Sequence, residues 1–461
     1  MWSVKPVLFI MMLMVAGFSG FAQLNAIYSF QKDDTLLRKN YADQSVKKKA
    51  VLLSSVGKEH AKEYTKIYDE QFEEIGKLWQ STRPVTSPEA HGYLQSLVQR
   101  IIASNTELKG TDARIIFSRD WWPNAVSMGD GTIAINAGLM VYLDNEAELV
   151  FVICHELSHY YLQHTQKSIR KYVETVTGTD YQAELKRLSK EVYGANSQLE
   201  KLARLTAFSS RKHSRDNEAE ADRQAFIFMK KTGYDCNAIT SCLQILDKVD
   251  SIQLYKKPDL QQIFNFAGYP FKKKWIQKES SIFSEVDETT SVTAKERDSL
   301  KTHPDCTKRI AWLTDSVTKA SVLMPGKKFL VNETLFNQLK KAFFIEITEE
   351  CHREKKLSRN LYYNLILLQA NETNALATWS VARCLNEMYE QQKAHKIGLM
   401  LDAESKGYPE DYNLLLRMLA RIRLEEIANL SYRFCTQNLA SMKDYPGFEQ
   451  EMVKAKNNLE E

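Results

Sequence analysis

The spacing of apolar residues predicts a chain that is mainly helical. Apolar residues recur at the spacing of one helix face between residues 67 and 78 and again between 94 and 102. Two short apolar runs, Ala113–Phe117 and Thr132–Asn136, lie on either side of the turn signal Gly129-Asp130-Gly131 and predict short strands. We therefore expect a mainly α fold that contains a small β-sheet.

The best delimited helix is predicted to begin at Asn145. Asn145 is followed three residues later by Glu148, which is the capping-box pattern, and then by the apolar run 149–154. A long amphipathic helix is therefore expected here. A second helix is expected over residues 216–231, with Gly233 as its C-terminal stop.

Residues 326–461 are predicted to form a separate, all-α domain. Pro325-Gly326 is a boundary signal, and successive helical patterns follow it between residues 334 and 460. The breaks at Asn371 and Pro409 are ~38 residues apart, a spacing typical of tetratricopeptide-like (TPR-like) helical hairpins. An irregular helical bundle also fits the pattern. The preceding residues 23–325 are assigned to one domain that carries the chemistry.

Residues 1–22 have the pattern of a secretory signal peptide. Lys5 precedes the apolar run Val7–Ala16, and small residues follow up to Ala22. The alternative is an uncleaved membrane anchor, for which the apolar stretch is slightly short. No later segment is long and apolar enough for a membrane span, so we expect an exported chain, in the periplasm or cell envelope, without a stable span after cleavage.

Composition and charge narrow the class of protein further. The chain has 461 residues, with 62 Lys and Arg against 58 Asp and Glu, so its formal charge of +4 gives no electrostatic footprint for nucleic acid. The 7 cysteines contain no CxxC pair, which argues against a zinc ribbon or a disulfide framework. The sequence also contains no Walker loop and no G-x-S-x-G motif.

The residues that carry chemistry lie within the helix expected after Asn145. His155-Glu156-Leu157-Ser158-His159 matches the pattern H-E-x-x-H. His155 and His159 are four residues apart and share one helix face, so both imidazoles can bind one Zn²⁺. Glu156, next to the first histidine, is then placed to take the proton of an attacking water. The pattern therefore indicates a catalytic zinc site.

A third protein ligand is expected downstream, because a catalytic zinc usually has three. Glu218 and Asp222 are also four residues apart on a predicted helix. One carboxylate can bind the metal, and the other can accept the remaining ring N–H of a ligand histidine. A solvated acidic helix face is the alternative for this pair.

These residues belong to a longer resemblance that covers roughly residues 85–315. The sequence resembles the HtpX-type (CAAX-protease-related) gluzincin zinc metallopeptidases. The resemblance implies a gluzincin domain with a small β-sheet over the active-site helix, His155, His159 and Glu218 as ligands of one zinc ion, Glu156 as base and Asp222 in a supporting catalytic role. The motifs that carry it occur in this order: Asn124-Ala125, Gly138-Leu139, Asn145–Leu149, the 155–159 pentapeptide, His164, Ser214–Arg223 and Gly233–Asp235.

Two further features follow from the resemblance. Thr302-His303-Pro304 with Arg309 resembles a motif that some family members place close to the metal, so His303 could block the site, stabilise an oxyanion or simply cap a helix. The run Thr132–Asn136 resembles the family's edge strand, which receives an extended peptide, although a plain core strand is the alternative. The helical segment 165–213 is expected to lie beside or over the cleft as a lid.

The predicted function is that of an exported zinc metalloendopeptidase. The layout is most similar to the soluble periplasmic branch that acts in outer-membrane assembly, which implies misfolded or partly assembled proteins as substrates. The helical C-terminal domain is expected to bind a protein partner or deliver substrates. The alternative is a chaperone or scaffold in which the zinc site is structural or gated.

Overall fold

The computed structural model describes residues 32–188, 215–248, 257–277, 306–371, 374–405 and 408–461. These residues are mainly helical and contain one four-stranded sheet, which confirms the predicted fold class. The predicted signal peptide 1–22 and His303 lie outside them. In the described parts of the chain, no helix combines the length and the apolar character needed to cross a bilayer.

The helices and strands follow one another along the chain with short connections. The strands are β1 Pro84–Val85, β2 Arg114–Ser118, β3 Ala125–Ser127 and β4 Thr132–Asn136. The helices up to the middle of the chain are α1 Thr35–Ser55, α2 Ala61–Gln80, α3 Pro88–Ser104, α4 Ala137–Met140, α5 Glu146–Tyr161, α6 His164–Thr177, α7 Thr179–Leu188, α8 215–229, α9 Asn237–Lys248 and α10 Leu260–Ile263. The remaining helices are α11 Cys306–Leu323, α12 Glu333–Arg353, α13 Leu357–Ala370, α14 Ala375–Lys393, α15 Glu410–Arg421, α16 Leu424–Met442 and α17 Phe448–Glu460.

The described residues fall into two compact units. The first contains residues 32–248 and 306–350, and the second contains 257–277 and 351–461, with the gaps given above. The predicted boundary at residue 325 does not coincide with this division. Backbone hydrogen bonds tie the segment after Pro325 into the first unit, because Lys327 exchanges bonds with Gly233 and Asp235, and Ala147 donates to Lys328.

The sheet of the first unit has the strand order β1-β2-β4-β3. β4 pairs in parallel with β2 and antiparallel with β3, so Thr132–Asn136 is an interior strand. The expectation that this run forms the edge strand is therefore wrong, and β3 is the edge on that side. The turn between β3 and β4 contains Gly129 and Gly131, both with positive φ, as the turn signal predicted.

Both faces of the sheet are covered by helices. Ile116 and Ala134 face α2 and pack with its aromatic residues Tyr68, Phe72 and Trp79. The opposite face packs against α3 and α5. α5 therefore lies directly beneath the sheet, which places the 155–159 pentapeptide in the interior of the unit.

The start of α5 agrees with the capping signal, but its burial does not agree with an amphipathic helix. Asn145 Oδ1 accepts the N–H of Glu148 at 3.1 Å, and the Glu148 carboxylate accepts the N–H of Asp144 at 2.6 Å. The second bond goes to the residue before the cap, one position away from a true capping box. Every residue from Glu146 to Ser158 is buried, because helices and the sheet surround α5.

The second unit is helical throughout its described residues. Its core is built from apolar side chains of α13–α17 together with Leu260, Phe264 and Trp275. The predicted break near Asn371 separates α13 from α14, and the break near Pro409 precedes α15. Whether these helices form tetratricopeptide-like repeats stays a prediction.

Candidate metal centre

Three predicted ligand side chains converge in the first unit. α5 carries His155 and His159 one turn apart, and α8 carries Glu218. The two Nε2 atoms are 3.1 Å apart. His155 Nε2 lies 3.4 Å from Glu218 Oε2, and His159 Nε2 lies 3.2 Å from Glu218 Oε1. Two imidazole nitrogens and a carboxylate thus face one point.

The donor set and its spacing fit a zinc ion. Two ligand atoms at about 2.0–2.1 Å from a tetrahedral zinc ion lie about 3.3 Å apart, and the three observed separations lie between 3.1 and 3.4 Å. Two histidines and one glutamate are a known catalytic zinc set. Among the described residues, these three form the group of side chains that is spaced to hold a metal ion.

Asp222 and Arg309 support the His155 side of the site. His155 Nδ1 lies 2.9 Å from Asp222 Oδ1. The Arg309 guanidinium donates to both oxygens of Asp222, at 2.6 and 2.7 Å, and its Nη1 lies 3.3 Å from Glu218 Oε2. Both side chains are buried, so Arg309 balances the negative charge of the two carboxylates in a region with little water.

The electrostatics of this group favour a cation between the histidines. Burial by itself lowers the pKa of His155, but the neighbouring Asp222 and Glu218 outweigh it and raise that pKa. Burial by itself raises the pKa of Asp222, but Arg309 outweighs it and holds the carboxyl in its charged form. A field that attracts a proton to an imidazole also attracts a metal ion to its lone pair.

The His159 side of the site has different partners. His159 Nδ1 lies 2.9 Å from Nδ1 of His164, and His164 Nε2 lies 3.1 Å from Glu220 Oε2. The sequence motifs contained both His164 and Glu220, but sequence reasoning gave neither of them a role. Likewise, Arg309 was noted only beside His303, and its burial among apolar positions of α11 was the signal that could have marked it.

The predicted base lies next to a narrow cleft. Glu156 is buried and lines this cleft with His155, Arg309 and Ala125 of β3. A much larger cavity of about 920 Å³ lies against the C-terminal end of α5, at Tyr160 and Tyr161, and none of the candidate ligands lines it. We assign the chemistry to the narrow cleft, because its walls carry the converging donors.

The edge strand β3 presents backbone groups beside this cleft. Met128 donates to Thr132 O, and Asn136 donates to Asn124 O. Since hydrogen-bonding directions alternate along an antiparallel strand, Ala125 and Ser127 turn their peptide groups to the outer edge. In the described part of the chain, no strand pairs with that edge. The property that the sequence placed on β4 therefore fits β3.

Two other sequence expectations meet the structure only in part. The predicted lid 165–213 is described up to residue 188, where it forms α6 and α7. Cys154 is buried, and burial raises the pKa of its thiol, so it is an inert core residue beside His155.

A small sheet over an HExxH helix, together with a distant glutamate, defines a domain of the gluzincin class. Residues 88–317 match peptidase family M48, so the chain carries a domain of that family. The resemblance inferred from the sequence is thereby confirmed.

Named relatives agree with the branch that the sequence favoured. The chain is 26% identical over 167 residues to the putative beta-barrel assembly-enhancing protease of Vibrio cholerae serotype O1, covering 35% of this chain and 34% of that protein. It is 25% identical over 179 residues to the beta-barrel assembly-enhancing protease of Yersinia pestis, covering 36% and 34%. It is 28% identical over 127 residues to metalloprotease YcaL of Escherichia coli K12, covering 28% and 48%. The chain thus spans between about a third and a half of the length of these relatives.

Proposed function

We propose that the protein is an exported zinc-dependent metalloendopeptidase of cell-envelope protein quality control or assembly. The observation that carries the proposal is the convergence of His155, His159 and Glu218 within 4.8 Å beside Glu156. The domain of peptidase family M48 supports the reaction class. The signal-peptide pattern of residues 1–22 and the names of the relatives support the location and the class of substrate.

The residues divide the work of peptide hydrolysis among them. A bound Zn²⁺ supplies Lewis-acid chemistry, because it lowers the pKa of a coordinated water and polarises the scissile carbonyl. Glu156 accepts the proton of the attacking water and passes it to the leaving amine. Asp222, held by Arg309, fixes the ring of His155.

The substrate is expected to bind as an extended strand. The outward peptide groups of Ala125 and Ser127 provide main-chain hydrogen bonds for an antiparallel or parallel partner segment. Ala125 also lines the cleft with Glu156, so a peptide on this edge passes the base. Such recognition reads the backbone rather than a sequence, which suits unfolded segments of many proteins.

The first experiment measures zinc content and casein cleavage on the full chain. The wild type is expected to bind one zinc per chain, Glu218→Ala to lose most of it, and Glu156→Gln to keep zinc and fold while losing cleavage. Glu70→Gln, an exposed position on α2, is the matched control and should retain both. A folded wild type without zinc contradicts the metal site, and full cleavage by Glu156→Gln contradicts the assigned base.

Zinc without cleavage would favour the scaffold alternative. In that case the second helical unit carries the function, and a protein partner bound by the full chain should still bind to Glu156→Gln. Export has its own test, since the N-terminal sequence of the mature protein should begin at Gln23 after cleavage behind Ala22. A mature chain that retains residues 1–22 would contradict the signal-peptide prediction.

A further inference from the structure

We propose that His164 and Glu220 form a positioning relay that holds the ring of His159 in the orientation that binds zinc. The proposal rests on the zinc site proposed above, and it assigns a role to two residues outside the ligand set. His164 is the first residue of α6, and Glu220 lies on α8 between Glu218 and Asp222.

The hydrogen bonds of the relay have only one direction that is compatible with metal binding. Binding through Nε2 requires that His159 carry its proton on Nδ1. That N–H then donates to His164 Nδ1, 2.9 Å away. His164 must therefore carry its own proton on Nε2, where it donates to Glu220 Oε2 at 3.1 Å. Each atom in the chain has the role that the next one needs.

His164 is not a further metal ligand in this arrangement. Its ring contacts His159 on the Nδ1 side, whereas the ligand atoms His155 Nε2 and Glu218 Oε1 lie on the Nε2 side. The two imidazoles meet edge to face, with ring centroids 4.9 Å apart and an interplanar angle of 77°. This geometry fixes the rotation of the His159 ring, which a single hydrogen bond to a flexible chain would not.

A break in the helix brings His164 to this position. In a continuous helix, a residue five positions after His159 would be rotated by about 140° and would point away from it. α5 instead ends at Tyr161, and Gln163 adopts a left-handed conformation with φ 57° before α6 begins. This turn reverses the local direction of the chain, so His164 faces back toward the metal site.

The two ligand histidines are thus supported in different ways. The partners of His155, Asp222 and Arg309, are both buried. The relay from His159 passes through buried His164 and ends at Glu220, whose side chain is 46% exposed. Removal of His164 should therefore weaken the site more than removal of Glu220, because water can replace an exposed carboxylate but not a buried imidazole.

The test compares His164→Ala, His164→Asn, Glu220→Ala and Glu220→Gln in the full chain. Zinc affinity is measured by competition with a chelator, and the visible spectrum of the Co²⁺-loaded chain reports the ligand geometry. Asparagine places an amide oxygen near the position of the imidazole Nδ1, and glutamine keeps an acceptor at Glu220. His91→Ala, which removes a half-buried histidine of α3 bound to Tyr41, is the matched control.

We expect His164→Ala to weaken zinc binding by about 10- to 100-fold and to change the Co²⁺ spectrum. His164→Asn should recover part of the affinity, Glu220→Ala should lose less than His164→Ala, and Glu220→Gln and His91→Ala should resemble the wild type. Wild-type affinity and spectrum in His164→Ala would overturn the relay. So would a loss that follows thermal stability alone and is not recovered by His164→Asn.

The relay and the proposed function fail in different ways. A wild type that binds no zinc removes the metal site and the relay together. A wild type that binds zinc, with affinity and spectrum indifferent to both His164 and Glu220, removes only the relay. If His164→Ala does not fold, Glu220→Ala decides the question, because its exposed position leaves the core intact.

Discussion

Replacing Glu146 by glutamine is predicted to loosen the N-terminal end of the active-site helix. Glu146 is the first residue of α5 and is fully buried. Its carboxylate accepts five hydrogen bonds within the first unit. The donors are the N–H groups of Leu330, Val331 and Asn332, at 2.8, 2.9 and 2.6 Å, and the hydroxyls of Tyr234 and Tyr93, at 2.9 and 3.1 Å.

The expected loss is about 3–5 kcal/mol of the free energy of unfolding. A hydrogen bond to a charged group contributes about 1 kcal/mol more than a neutral one, and glutamine removes the charge. Its amide NH₂ also faces donors, which leaves at least one of them without an acceptor at a cost of about 1–3 kcal/mol. The effects are not additive, so the estimate lies below their sum.

The same carboxylate makes part of the stability depend on pH. Burial by itself raises the pKa of Glu146, but the N–H donors of Val331, Asn332 and Leu330 and the Tyr234 hydroxyl outweigh it, so the pKa lies below its ordinary value of 4.5. A lowered pKa contributes stability that is present above the unfolded value and is lost as the pH falls through the folded value. The wild type should therefore lose this contribution below about pH 4.5, whereas Glu146→Gln should lack that loss.

Hydrogen exchange gives the most direct measurement. In Glu146→Gln, the amides of residues 330–332 should exchange about 100-fold faster, since each 1.4 kcal/mol corresponds to about a factor of ten. Urea unfolding at neutral pH and at acidic pH gives the stability and its pH dependence. Glu333→Gln, an exposed change at the start of α12, is the control. Unchanged protection of residues 330–332 in Glu146→Gln, with a urea midpoint equal to the control's, would refute the reasoning.

Three other substitutions test the frame around the site. Asp222→Asn should destabilise the fold by about 3–5 kcal/mol in urea unfolding, because it leaves the buried Arg309 with half of its compensating charge, and wild-type stability would contradict this. Gln163→Val should lower stability by about 1–2 kcal/mol, since a β-branched residue tolerates φ 57° poorly, whereas Gln163→Gly should not. Gly138→Ala should lower the melting temperature by several degrees, because its Cβ would lie 2.0 Å from Trp121 O; an unchanged melting curve would show that this loop yields freely.

Local periodicity accounts for what the sequence determined. His155 and His159 share a helix face because four residues make about one turn, and the same holds for Glu218 and Asp222. The cap at Asn145 and the glycine turn before β4 are equally local signals, and both lie where the pattern placed them. These features need no knowledge of the fold, since each depends on residues only a few positions apart.

Tertiary packing decided the rest. The sequence identified Thr132–Asn136 as a strand, but its place inside the sheet depends on pairing with β2 and β3, and no local pattern sets strand order. Nor does any local pattern predict that Arg309 would clamp Asp222, 87 positions earlier in the chain. His164 faces His159 only because the chain leaves the helix at Gln163. The sequence therefore supplied the ligands, and the packing of distant segments supplied the partners that hold them.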